Sequence, residues 1–197
     1  MAERKLFGKY HDLALIGIGF LLTTVAGGFI GYYVQHISWK SDNITKLYQT
    51  EIYNANQVFE DISKLMDKRL YRTRRLIWGS MGGKEIIILE RRNNYREFLI
   101  EWNDNLNRNL ARIHRYFGED MRVEFENDIS KYFVSLDSKI GLSLKRKDYK
   151  NMSKLNDEVN EFNPKIYNYN IKMLKAIQSG RVGIFLDKRA RESVPGI

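Results

Sequence analysis

An uncharged run of 22 residues, Leu13 to Val34, rich in Leu, Ile, Val and Phe, sets the terms for everything that follows it. At the helical rise it covers about 33 Å, enough to cross the hydrocarbon core of a bilayer. A helix satisfies all of its backbone groups internally, so it is the conformation that such a segment adopts in lipid. A cleaved signal peptide is the competing reading, because Arg4, Lys5 and Lys9 form a basic leader and Thr24-Val25-Ala26 resembles a cleavage site. An ordinary signal core is about 7 to 15 residues long. Here the apolar stretch continues through Phe29-Ile30-Gly31-Tyr32-Tyr33-Val34, past that site. Residues 1–36 are therefore expected to be a short tail and a retained transmembrane helix.

Beyond Gln35 the chain turns polar and carries 30 of its 33 basic and 22 of its 24 acidic residues. Ser41, Asp42 or Asn43 could cap a new helix, and Ile44, Leu47, Tyr48, Ile52, Ala55, Val58, Phe59, Ile62, Leu65 and Met66 follow at steps of three and four. Gly79-Ser80-Met81-Gly82-Gly83 breaks that helix. A second helix is expected from near Lys84 to Gly118, its buried stripe marked by Tyr95, Phe98, Leu99, Trp102, Leu106, Leu110, Ile113 and Phe117. Glu85 to Leu89 could instead be a short strand. A third helix carries Phe125, Ile129, Tyr132, Phe133, Leu136 and Ile140 and ends near Gly141; a fourth runs from about Asp148 to Gln178, bent or split at Pro164, with Gly180 as its stop. The fold class is all-α: one N-terminal transmembrane helix, a helical bundle over residues 37–180, and an irregular tail over residues 181–197.

The chain has no cysteine, which excludes disulfide scaffolds, thiolate nucleophiles and Cys-ligated zinc, and leaves His11, His36 and His114 as the imidazoles. No metal site and no cofactor are expected. The Gly79 to Lys84 loop is not a phosphate-binding P-loop, because Trp78 stands where the first glycine is required and Glu85 replaces Ser or Thr. The formal charge of +9 is compatible with polyanion binding, and clusters such as Lys68-Arg69 and Lys145-Arg146-Lys147 fit solvated helix faces and ends. On the membrane helix, Gly17, Thr24, Gly28, Gly31 and Gln35 fall within about 40° of one direction, and Gly27-x-x-x-Gly31 lies beside them. This small, weakly polar face suits close approach of a second span, or the lining of a lumen.

Arg108-Asn109-Leu110-Ala111-Arg112-Ile113-His114 resembles the Arg-x(4–6)-His motif of HEPN domains, helical bundles whose ribonuclease members join two such motifs across a dimer to cut RNA without metal. That resemblance implies a phosphate-holding role for Arg108, an acid or base role for His114, and Asn109 as the residue often found after the arginine. In this sequence Arg108 shares a polar stripe with Glu101, Asn105, Arg112 and Arg115, with Asp104 four residues before it as an ion-pair partner. His114 lies about 120° away around an ideal helix, so the pair converges only through a kink or a second chain, and the motif reads as RNA-binding or vestigial rather than catalytic.

With its single span, glycine-rich face, charged helical domain and Arg108-Asn109…His114 motif, the chain is similar to the small membrane accessory proteins encoded beside the RNA-guided ribonuclease of type VI-B CRISPR systems. The resemblance implies a homo-oligomer in the bacterial inner membrane, octameric in that family, forming a pore that depolarises the membrane in antiphage defence. Its implied partners are the lipid bilayer and the effector ribonuclease or its RNA product. The alternatives are a membrane-tethered HEPN endoribonuclease and a non-catalytic helical adaptor. Charges near the span, Arg4, Lys5 and Lys9 before it against Lys40 and Lys46 after it, weakly favour an outside domain. The difference is one residue, and the resemblance implies a cytoplasmic domain.

Overall fold

The computed structural model describes residues 3–194, with side chains described from Gly17 onward. Arg4, Lys5, Lys9 and the first four residues of the uncharged run thus have only a described backbone, and Pro195-Gly196-Ile197 lies outside the described residues. The fold is all-α, and no strand occurs among the described residues. The chain divides into two compact units, Met1–Leu47 and Tyr48–Ile197.

The first unit is the leading part of one helix, α1, which runs from Glu3 to Met81. Ser41, Asp42 and Asn43 do not cap a new helix; α1 passes through them without a break. No proline or glycine lies between Gly31 and Gly79, so nothing in that stretch opposes continued i to i−4 bonding. α1 contains a segment long and apolar enough to cross a membrane, none of it buried within the chain. Every residue from Gly17 to Lys40 is exposed, including Phe20, Phe29 and Tyr32. Two hydroxyls there are satisfied internally: Thr23 Oγ1 donates to the Gly19 carbonyl (2.7 Å) and Thr24 Oγ1 to that of Phe20 (2.8 Å). Neither brings an unsatisfied polar group to an apolar surrounding.

In the second unit, the remainder of α1 packs against α2 (Glu85–Phe117), a helical rod made of α3 (Glu119–Glu124), a π-helical turn (Phe125–Ser130) and α4 (Lys131–Arg146), and α5 (Lys150–Gln178). Ala55, Val58, Ile62 and Met66 of α1 are buried as their spacing predicts, and Tyr95, Phe98, Trp102, Ile113 and Phe117 supply the facing stripe of α2. Glu85 to Leu89 is the first turn and a half of α2, not a strand; the Ile88 N–H donates to the Lys84 carbonyl (3.0 Å). The third rod runs past Gly141 to Arg146, where Lys147 takes a left-handed conformation (φ 54°) and ends it. Gly141 does not stop the rod, because Ile140 and Ser143 on either side of it are buried and hold the helix in place. The π turn inserts one residue into the helical register, so that Phe125 and Ile129 within it and Phe133, Leu136 and Ile140 after it all reach the same core. α5 is neither split nor ended by Pro164, which sits exposed within a continuous helix.

The segment after Gly180 is not irregular. Val182 and Phe185 are buried, Gly183–Leu186 forms a 3₁₀ turn, and Asp187 caps α6 (Lys188–Glu192) by accepting from the Arg189 N–H (2.7 Å). Gly180 (φ 66°) and Gly183 (φ 57°) make the reversal that lays this segment against α1. The Phe185 ring meets Tyr48 edge to face at 5.1 Å. The buried Glu51 carboxylate accepts from the Ile184 N–H (3.2 Å) and from Arg115 (3.0 Å).

Candidate functional site

α1 and α2 are antiparallel, since Asp61 pairs with Arg112 and Lys68 with Glu101. On α1, Asp61, Lys64 and Lys68 recur at helical spacing just outside the buried Ile62, Met66 and Arg69; on α2, Glu101, Asn105, Arg108 and Arg112 do the same outside Trp102, Asn109 and Ile113. These polar edges line a cleft of about 340 Å³, floored in part by Leu65 and Asn109. Arg112 Nη2 lies 2.8 Å from Asp61 Oδ2, and Lys68 Nζ contacts Glu101 and sits 5.2 Å over the Phe98 ring. Arg108 makes no ion pair with Asp104 or with any other carboxylate among the described residues. Two turns earlier on its stripe Glu101 pairs with Lys68, and Arg108 itself lines the open cleft. Lys64 is likewise unpaired among the described residues.

The motif residues therefore separate. Arg108 and Asn109 both line the cleft, Asn109 only 5 % exposed. His114 is more than half exposed at the end of α2, with Nδ1 2.8 Å from Glu119 Oε2. Glu119 also receives two hydrogen bonds from Arg122, through Nε (2.8 Å) and Nη2 (2.6 Å). The Arg122 bonds first, and the His114 bond second, hold the Glu119 carboxyl down to about 2. Among the described residues, His114 and the Arg108 guanidinium thus do not share a site within one chain. Among the described residues no three His, Asp or Glu side chains cluster to hold a metal ion.

On the first unit, a Cβ placed at Gly17, Gly27, Gly28 or Gly31 would meet no atom within 4 Å outside the helix's own backbone, so this small face has no partner among the described residues. Thr24 is exposed on the same helix. Gln35 lines a shallow notch with Tyr32, His36 and Trp39, where the Tyr32 and His36 rings stack at 6.1 Å. Aromatic side chains at the end of an apolar helix suit the headgroup level of a membrane.

Sequence reasoning missed a second polar group, inside the bundle. Lys68-Arg69 reads as a solvated basic pair, yet Arg69 is 1 % exposed. Its Nη2 lies 2.7 Å from Asp137 of α4, its guanidinium carbon sits 4.4 Å over Trp102 and 4.8 Å over Phe133, and Tyr95 donates its hydroxyl to the other oxygen of Asp137. Burial pushes the Asp137 carboxyl up and the Arg69 guanidinium down, each partly held back by the charge of the other. Burial raises Tyr95 too, with Asp137 adding to the effect. The missed signal is positional: Arg69 continues the apolar stripe Ile62, Met66, Leu70, Thr73 that Lys68 does not. No family model, curated protein or solved structure matches the chain.

Proposed function

We propose that this chain is a single-pass membrane protein whose spans assemble side by side into a homo-oligomeric pore, with the helical bundle at its cytoplasmic mouth. The observation that carries this reading is the bare first unit: a helix of spanning length whose described apolar and small residues, Gly17 to Lys40, are all exposed. In water such a surface is costly; in a bilayer it is solvated by lipid, and its glycines allow neighbouring backbones to approach closely. Thr24, Gly28 and Gln35 are the residues that would tolerate a wet lumen. Depolarisation of a bacterial inner membrane in antiphage defence, alongside an RNA-guided ribonuclease, is the role that the resemblance to type VI-B accessory proteins implies for such a pore. The separation of Arg108 from His114 weighs against a tethered ribonuclease.

The test is dye release from liposomes by the purified full-length protein and by a form lacking residues 1–36. Release by the first and none by the second supports the pore. A full-length protein that leaves membranes on carbonate washing without detergent overturns even the anchor.

A further inference from the structure

The α1–α2 cleft has two features that a merely solvated seam does not need. Its two ion pairs, Lys68–Glu101 and Asp61–Arg112, neutralise themselves, and in the antiparallel register Lys64 and Arg108 lie between them with no carboxylate partner among the described residues. Two uncompensated positive charges therefore share one cleft of about 340 Å³. The second feature is Asn109. It is 5 % exposed, it lines the cleft, and its side-chain amide makes no hydrogen bond to any described residue. Buried amides are nearly always hydrogen-bonded. The Asn109 amide is not sealed from solvent, so it opens onto the cationic cleft and hydrogen-bonds whatever fills it, water or a ligand.

We propose that this cleft binds a small phosphorylated alcohol, a phosphomonoester held by Arg108, Lys64 and the Asn109 amide. The guanidinium fork matches two phosphate oxygens, the ammonium adds a compact charge, and the amide N–H donates to a third oxygen. A phosphomonoester carries a charge of about −1.5 to −2 at pH 7, which balances the two free cations; a simple carboxylate balances only one. The same accounting disfavours a nucleic-acid strand. A strand would run its next phosphates past the Asp61 and Glu101 carboxylates that close the cleft, and no aromatic ring lines the cleft for a base to stack on. The cleft exceeds the size of phosphate alone, which leaves room for a small polar remainder. This inference is independent of whether the span conducts.

The test is calorimetric titration of the full-length protein in detergent, at fixed ionic strength, with inorganic phosphate, glycerol 3-phosphate, sodium chloride and a single-stranded RNA bearing a 5′-hydroxyl. Saturable binding of phosphate and glycerol 3-phosphate is expected, weakened about tenfold or more by Arg108→Gln, Lys64→Gln and Asn109→Ala, since each removes a hydrogen bond to a charged group. Arg108 and Lys64 are exposed, so their variants report binding even if Asn109→Ala disturbs folding. Lys145→Gln, an exposed charge outside the cleft, should change nothing. An absence of saturable binding at millimolar phosphate, an equal loss in Lys145→Gln, or tighter binding of the RNA than of either phosphate would each overturn the proposal.

Discussion

Replacing Asp137 by Asn keeps the size of the side chain and an acceptor for Tyr95, and removes the negative charge together with the oxygen that accepts from Arg69. Arg69 is then a guanidinium with a 2 % exposed side chain, two nitrogens already without partners, and no counter-charge. Breaking a buried pair from one side costs about 3–5 kcal/mol, because the remaining charge stays desolvated. Asp137 is 24 % exposed, so water already screens part of its attraction, and the two aromatic faces continue to hold the cation. The low end, about 3 kcal/mol, is expected. For a unit of this size that lowers the melting temperature by roughly 6–12 °C. Replacing the whole group, Arg69→Met with Asp137→Leu and Tyr95→Phe, removes the desolvation cost together with the pair and leaves no orphaned hydroxyl, and should return to within about 1 kcal/mol of wild type or better. Urea and thermal unfolding followed by circular dichroism in detergent micelles measures both. A cost below about 1 kcal/mol for Asp137→Asn, the value of an exposed pair, would refute the argument that burial makes this interaction matter.

Gly183→Ala should destabilise by about 2 kcal/mol or more, because its φ is left-handed and a Cβ would lie 1.5 Å from Glu51 Oε2, whereas Gly141→Ala, in an open helical position, should stabilise by about 0.5–1 kcal/mol; unfolding curves compare the two. Glu119 is held well below the ordinary 4.5, so the stability it contributes is complete above that value and is lost as pH falls through about 2. Carboxyl titration by NMR should show the value rise toward 4.5 in Arg122→Gln and rise less in His114→Ala; an unmoved value in Arg122→Gln would break the assignment. Gly28→Leu with Gly31→Leu should lower the oligomer mass seen by native mass spectrometry, and an unchanged mass would show that this face does not mediate assembly.

Much of this architecture was legible because the signals are local. The uncharged run, the glycines at 79, 82 and 83, and the three-and-four spacing of Ala55, Val58, Ile62 and Met66 each act within a few turns of chain. What was not legible depends on tertiary contact. A capping residue such as Ser41 signals a helix start only if the chain before it is not already helical, and here it is. The latch of Val182 and Phe185 escapes a periodicity search because it is four residues long and is held by Tyr48 and Glu51, more than a hundred positions away. Arg69 was hidden by its neighbour: a basic dipeptide does not reveal which member faces inward until the helix is placed against Trp102 and Asp137. For the cleft, the stripe of Glu101, Asn105, Arg108 and Arg112 was visible on α2, but its complement, Asp61, Lys64 and Lys68, emerges only from the antiparallel register.

The central claim is that the membrane helix assembles and conducts while the Arg108–His114 pair performs no chemistry. The most direct measurement is made on one purified full-length oligomer, recording single-channel conductance in a planar bilayer and cleavage of single-stranded RNA in parallel. Stepwise conductance that is lost in the Gly28→Leu/Gly31→Leu variant, with no RNA cleavage before or after His114→Ala, is the predicted result. RNA cleavage that falls about 10²-fold or more in His114→Ala, with no conductance even when the effector complex is added, would contradict it and assign the protein to the tethered ribonucleases.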